Sequence, residues 1–169
     1  MNKTIPQDIQ ILPIAEEHIE GFHRCLDLVA HERLYLALVQ APPLDSTRAY
    51  VLSNIANHVS QFVAVINNEV VGWCDICPLK HEGFKHRGEL GMGVLPRYRG
   101  LGIGQQLVSR TIQRAKENGL ERIELEVFAS NAPAIKLYEK MGFVTEAVKK
   151  NARKIDGNYD DLVEMVLFV

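Results

Sequence analysis

The chain has 169 residues, an apolar fraction of 47% and a formal net charge of −2. That length fits one compact domain, at roughly 100–200 residues per domain, and the near-neutral charge offers no global basic field for nucleic acid. No apolar run approaches the ~18 residues that would span a membrane, the opening MNKTIPQDIQ lacks the apolar stretch of a signal peptide, and three cysteines do not make a disulfide framework; together these point to a cytoplasmic protein.

In chain order, DIQILPI (8–14) reads as a first strand, with Ile9 and Ile11 alternating. Residues 15–30 read as a helix whose Ile19, Phe22, Cys25, Leu26 and Val29 share one face. HERLYLALVQAPPL is ambiguous and is broken by Pro42-Pro43. DSTRAYVLSNIANHV then looks helical, with Asp45 or Ser46 as its expected N-cap. QFVAVI, a turn at Asn67-Asn68 and VVGWCDI form a hairpin. A loop over 79–86 leads to the strand GELGMGVL, which Pro96 ends. A helix is expected over about 103–118, with Asn118-Gly119 as its stop. The strand RIELEVF, a short helix in NAPAIKLYEKMGF and a closing hairpin that turns near Asp156-Gly157 complete the chain. This order predicts an α/β (α+β) domain around one mixed sheet of about seven strands, flanked by about four helices.

The stretch RYRGLGIG (97–104) joins the strand ended by Pro96 to the 103–118 helix. It lacks the Lys-Ser/Thr of a P-loop. Neither Gly100 nor Gly102 begins a Gly-x-Gly-x-x-Gly fingerprint, because the sixth positions are Gln105 and Leu107. What remains is an anion nest. Backbone N–H groups at the helix start, the helix dipole, and three glycines that admit close approach together suit a pyrophosphate. Arg97 and Arg99 are expected to add charge.

VLPRYRGLGIGQQLV resembles motif A of the GNAT (GCN5-related N-acetyltransferase) superfamily, Gln/Arg-x-x-Gly-x-Gly/Ala, through Arg99, Gly102 and Gly104. NAPAIKLYEKMGF is similar to a second block of that family through Asn131, Ala134, Tyr138, Gly142 and Phe143, and DGNYDDLVEM to its closing hairpin. The resemblance spans nearly the whole chain and implies a single domain over 1–169, with a sheet that splays at an acyl-CoA site. The activity it implies is acetyl transfer from acetyl-CoA, with no metal, to a primary amine in a ternary complex. A small amine or amino acid is the favoured acceptor, with protein N-termini or side chains as the alternative. A non-catalytic acyl-CoA binding module is the alternative of another class. Many members pair, so a homodimer is also admitted.

By the same resemblance, the pyrophosphate would lie on the backbone from Arg99 through Gly100, Gly102 and Ile103 to Gly104. Pantetheine would pair with the strand holding Met92 and Val94, where Gly91 and Gly93 suit a β-bulge. Asn131, beside Ala134, would contact the CoA arm. Tyr138 matches the general acid for the departing thiolate, although its helical stripe with Ala134, Leu137 and Met141 equally suits a core tyrosine. A base is less defined. Glu89 is the first candidate, Asp75 and Glu126 are others, and a water relay would also serve.

Cys74 and Cys77 form a Cys-x-x-Cys, but in a strand they point to opposite faces, and no second pair accompanies them. The six histidines show no ligand spacing. Tyr35 and Trp73 are candidates for the acceptor pocket, or for the core.

Overall fold

A computed structural model describes residues 8–169. Seven strands form one sheet: β1 (Gln10–Pro13), β2 (Ser60–Ile66), β3 (Glu69–Pro78), β4 (Arg87–Val94), β5 (Arg122–Phe128), β6 (Val144–Ile155) and β7 (Asn158–Phe168). Their spatial order is β1-β2-β3-β4-β5-β7-β6, and β4–β5 is the one parallel pair. Four α-helices complete the domain: α1 (Ile19–His31), α2 (Leu44–Ala56), α3 (Ile103–Glu117) and α4 (Ala132–Lys140).

The sheet has helices on both faces. Trp73 on β3 meets Phe22 of α1 edge to face, with ring centroids 5.7 Å apart. The neighbouring strand positions turn the other way: a Cβ on Gly72 would touch Leu107 of α3. The stripe predicted for α1 faces the core, with Leu26 partly buried at its margin, and α3 buries a stripe of its own. Ile19, Phe22, Cys25 and Val29 of α1, and Ile103, Leu107, Val108, Ile112 and Ala115 of α3, all enter the core. His31 and Pro42-Pro43 bracket an irregular segment, since the residue before a proline is steered out of the helical region.

Two details depart from expectation. Helix α2 starts one residue earlier than Asp45, with Pro43 as its cap and no side-chain capping bond. Pro43 supplies its carbonyl to Thr47 N–H at 3.0 Å, and Asp45 instead sits in the first turn, where a carboxylate suits the helix dipole. The bulge expected at Gly91 and Gly93 is absent from the β3–β4 ladder, whose register is unbroken from Gly72↔Val94 to Pro78↔Gly88. Gly93 has a different reason to be glycine. The Trp73 indole lies across it, and a Cβ there would be 2.3 Å from a ring carbon. Gly93→Ala is therefore expected to destabilise the domain by at least ~1–3 kcal/mol, because the buried indole must move; urea unfolding with a fixed m-value checks this.

Strand β4 pairs with β5 only over Arg87–Glu89 against Arg122–Glu124, while β5 continues against β7 to Phe128. From Leu90 to Val94, β4 is paired on one side alone, by β3. The sheet is thus open between β4 and β5, directly before the glycine loop.

Candidate active site

Beyond β4 the chain makes a short 3-10 turn at Pro96–Tyr98 and passes through two left-handed glycines, Gly100 (φ 75°) and Gly102 (φ 77°), the latter capping α3. Only glycine adopts that backbone at little cost. The first backbone bond into α3 runs from Gln106 N–H to Gly102 O. Among the described residues, the N–H groups from Gly100 to Gln105 have no protein acceptor. Six consecutive donors at the positive end of a fifteen-residue helix form a nest for a multiply charged anion. Gly104 is needed for packing: a Cβ there would come 3.2 Å from both Leu137 of α4 and Met92 of β4. It lets α4, α3 and the open strand close up behind the loop.

The arginine side chains do not serve the nest, contrary to expectation. Arg99 donates from Nε to Val94 O at 2.8 Å and forks onto Glu32 at 2.8 and 2.5 Å. Its guanidinium covers the Tyr35 ring at 4.8 Å. Its own backbone N–H is engaged with Pro96 O at 3.3 Å, so the nest proper starts at Gly100. Arg97 is held by Glu69 and stacks on Tyr98. Both side chains brace the loop from outside. Charge for the anion is left to backbone dipoles.

Tyr138 is buried (7% exposed) on α4 and packs edge to face on Phe143 at 5.8 Å. Desolvation raises its pKa, with Cys74 adding to the shift, so the phenol keeps its proton. No protein group bonds its hydroxyl among the described residues, whereas a core tyrosine usually finds a partner. Asn131 caps α4, its side-chain oxygen accepting from Ala134 N–H at 3.3 Å.

The three carboxylates considered as bases separate clearly. Glu126 is exposed and ion-paired to Lys149 at 3.1 Å. Glu89 is exposed at the last β4 position before the opening and sits across from Cys77. Asp75, across from Gly91, is buried (8% exposed). Desolvation pushes its pKa up to about 7, while Tyr50 and Cys77 act the other way. Glu89 and Asp75 share the α1/α2 face of the sheet.

Of the aromatic candidates, Trp73 is core, enclosed by Phe22 and Gly93. Tyr35 lies under Arg99 on the α1–α2 segment. The tip of the β6–β7 hairpin clasps that segment: Arg33 pairs bidentately with Asp156 at 3.1 and 2.9 Å, and Arg153 donates to Arg33 O and Leu34 O. Cys74 is buried, and burial raises its thiol pKa; that of Cys77 is pushed up to about 11, so neither is a ready thiolate. Among the described residues, no group of three or more His, Cys, Asp or Glu is placed to hold a metal ion, and no helix is long and apolar enough to cross a membrane. A surface groove of about 550 Å³ flanks the first turns of α3; Gly102, Gln105 and Gln106 line it together with Ile9 and Ile11, so it borders the nest, while Tyr138 and Asp75 are not among its lining residues.

A sheet opened beside a helix-capped anion nest is the arrangement that the sequence resemblance implies for an acyl-CoA transferase, and comparison with known proteins supports that class. The sequence model described as "Acetyltransferase (GNAT) family" matches residues 23–143. The chain belongs to this family and is an acyltransferase. It is 36% identical over 109 residues to the L-amino acid N-acetyltransferase AaaT of Escherichia coli, covering 63% of this chain and 67% of that protein. It is 28% identical over 139 residues to the [ribosomal protein bS18]-alanine N-acetyltransferase of Haemophilus influenzae, covering 82% and 92%. An N-alpha-acetyltransferase of Sulfurisphaera tokodaii is 40% identical over 93 residues, and the chain spans about half (54%) of its length. Among solved structures, an acetyltransferase of Salmonella typhimurium with its cofactor acetyl-CoA superimposes with a TM-score of 0.90 at 20% identity, over 96% of this chain and 94% of that one. This last likeness bears on the fold alone.

Proposed function

We propose that the protein transfers an acetyl group from acetyl-CoA to the α-amino group of an acceptor, with a free L-amino acid or similar small amine as the favoured class. The observation that carries this reading is the nest of six unpartnered N–H groups at the mouth of the one-sided strand β4. It fits a pyrophosphate followed by an extended amide-bearing arm. Gly100, Gly102, Ile103 and Gly104 would hold the phosphates. Backbone groups around Met92 and Val94 would pair the arm and polarise the acyl oxygen. Asn131 and Ala134 would flank the arm from the α4 side. Bound acetyl-CoA supplies the activated acyl carbon and the thiolate leaving group. Tyr138, protonated and without a protein partner, would give the thiolate its proton. Holding both substrates in one cleft supplies much of the rate through orientation.

A second reading, acetylation of protein N-termini, is favoured by one feature. Leu34, Leu38 and Val39 expose apolar surface on the α1–α2 segment, which would suit the side chains of a peptide. The relatives' names include both kinds of acceptor, and an α-amino group is common to them. Thiol release from acetyl-CoA decides between them, measured with the common L-amino acids and with short peptides beginning in Ala or Met. Turnover is expected, fastest with free amino acids. Tight CoA binding without turnover on any amine would make the protein a binding module and sink the enzymatic reading.

A further inference from the structure

Helix α2 buries two polar side chains, Thr47 and Asn54, beside the apolar Val51, while Leu44, Leu52 and Ile55 are exposed. Beneath it the strands also turn polar side chains inward. Gln61 (2% exposed) and Asp75 are directly opposed across β2–β3, and opposed residues share a face. Asn54 donates to Gln61 Oε1 at 2.9 Å, and Tyr50 Oη lies 3.2 Å from Cys77 Sγ. Among the described residues, Thr47 Oγ1 of α2 and Gln61 Nε2 of β2 are buried with no protein partner. Orphaned buried polar atoms cost free energy unless a ligand or water meets them. A polar stripe with two spare hydrogen-bonding groups and a sunken carboxylate has the composition of a binding pocket.

Its position relates it to the opening. Asp75 lies opposite Gly91, and a Cβ there would sit 3.3 Å from Asp75 Oδ1, so the glycine keeps the carboxylate uncovered toward β4. Leu137 of α4 and Met92 of β4 both close on Gly104 of α3, and Met92 is opposed to Cys74 on β3, so α4, which carries Tyr138, lies on the sheet face opposite that of Asp75. Phenol and carboxylate thus address the same part of the sheet from its two sides. This is the arrangement needed when an amine arrives on one face and a thiolate leaves on the other.

We infer that Asp75 is the general base and ammonium-recognising carboxylate of the acceptor pocket, rather than the exposed Glu89, with Tyr50 and Cys77 as positioning residues. The inference rests on the acetyltransferase reading above. Asp75 takes the proton from the acceptor nitrogen. The nitrogen forms a C–N bond to the acetyl carbon, the C–S bond breaks with its electron pair on sulfur, Tyr138 protonates the sulfur, and solvent reprotonates Tyr138. The titratable groups facing Asp75 are Tyr50 on α2, Cys77 on β3 and, across Cys77, Glu89 on β4.

The test is a pH–rate profile with acetyl-CoA and the best acceptor from the amine panel, for wild type, Asp75→Asn, Tyr50→Phe and Glu89→Gln. An α-amino acceptor must itself lose a proton near ~8. Log kcat/KM for the wild type should therefore rise with slope two below about pH 7 and slope one above it. Asp75→Asn should lower kcat/KM at least ~100-fold, keep CoA affinity, and reduce the slope below pH 7 to one. Tyr50→Phe should move the limb to higher pH, because Tyr50 lowers the Asp75 pKa; this decides the matter if Asp75→Asn does not fold. An unchanged profile in Asp75→Asn, or in Tyr50→Phe when that variant has to decide, overturns the inference. So does loss of the limb in Glu89→Gln alone, which assigns the base to Glu89. If the wild type turns over no amine, the acetyltransferase reading itself fails, a result distinct from these.

Discussion

Replacing Gly102 by glutamate is expected to weaken CoA binding severely. Gly102 caps α3 at φ 77°, a conformation that costs an L-residue ~1–2 kcal/mol. The larger effect is electrostatic. The six N–H groups from Gly100 to Gln105 face the ligand without help from Arg97 or Arg99, whose guanidiniums are held by glutamates. A carboxylate placed there satisfies the donors internally and repels phosphate. The expected loss of CoA affinity by calorimetry is at least ~100-fold, about 2.7 kcal/mol. Gly102→Ala separates the contributions, since it carries the backbone strain without the charge and should lose about tenfold. Equal affinity of Gly102→Glu and wild type would remove the phosphate from this loop.

Tyr138→Phe is expected to lower turnover with little change in CoA affinity or stability. The ring's contact with Phe143 survives the substitution, and the hydroxyl has no protein hydrogen bond to lose. Only a role toward a ligand is deleted. A general acid contributes about 10²–10⁴ in rate, so kcat should fall within that range while CoA dissociation stays within about twofold. Burial raises the phenol pKa, so wild-type Tyr138 stays protonated through neutral pH, and the loss should not depend on pH between 6 and 9. A variant as fast as wild type would return Tyr138 to the hydrophobic core.

Much of this architecture was legible in the sequence because it is locally encoded. The stripe Ile19, Phe22, Cys25 and Val29 announces the buried face of α1. Asn131 with Pro133 announces the start of α4, and Asn67-Asn68 adopts the positive φ that a tight hairpin needs. The spacing of Gly100, Gly102 and Gly104 also tells of a nest, since left-handed backbone and close helix packing each exclude larger residues there. What escaped depends on partners far along the chain. Arg99 turns to Glu32, 67 residues away, and Arg97 to Glu69, 28 away, so no local pattern shows that neither side chain serves the nest. Gly93 suggests a bulge until the register sets Trp73 across it. The environment of Asp75 requires both the β2–β3 register, which brings Gln61 opposite, and the docking of a helix that brings in Asn54 and Tyr50.

The α1–α2 segment, which would wall the acceptor side in the proposed reading, is fastened mostly by charge. Of Leu34, Leu36 and Leu38, only Leu36 packs against the core. The segment is otherwise clipped by Arg33–Asp156, by Arg153 on two backbone carbonyls, and by Glu32–Arg99 at its root. The Arg33–Asp156 clip is solvent-exposed, so its energy is small and screened by salt, whereas the sheet and helices beneath are held by burial. Raising the ionic strength is therefore expected to loosen this segment while leaving the domain folded, so that access to the cleft, rather than the integrity of the fold, would be the salt-sensitive property.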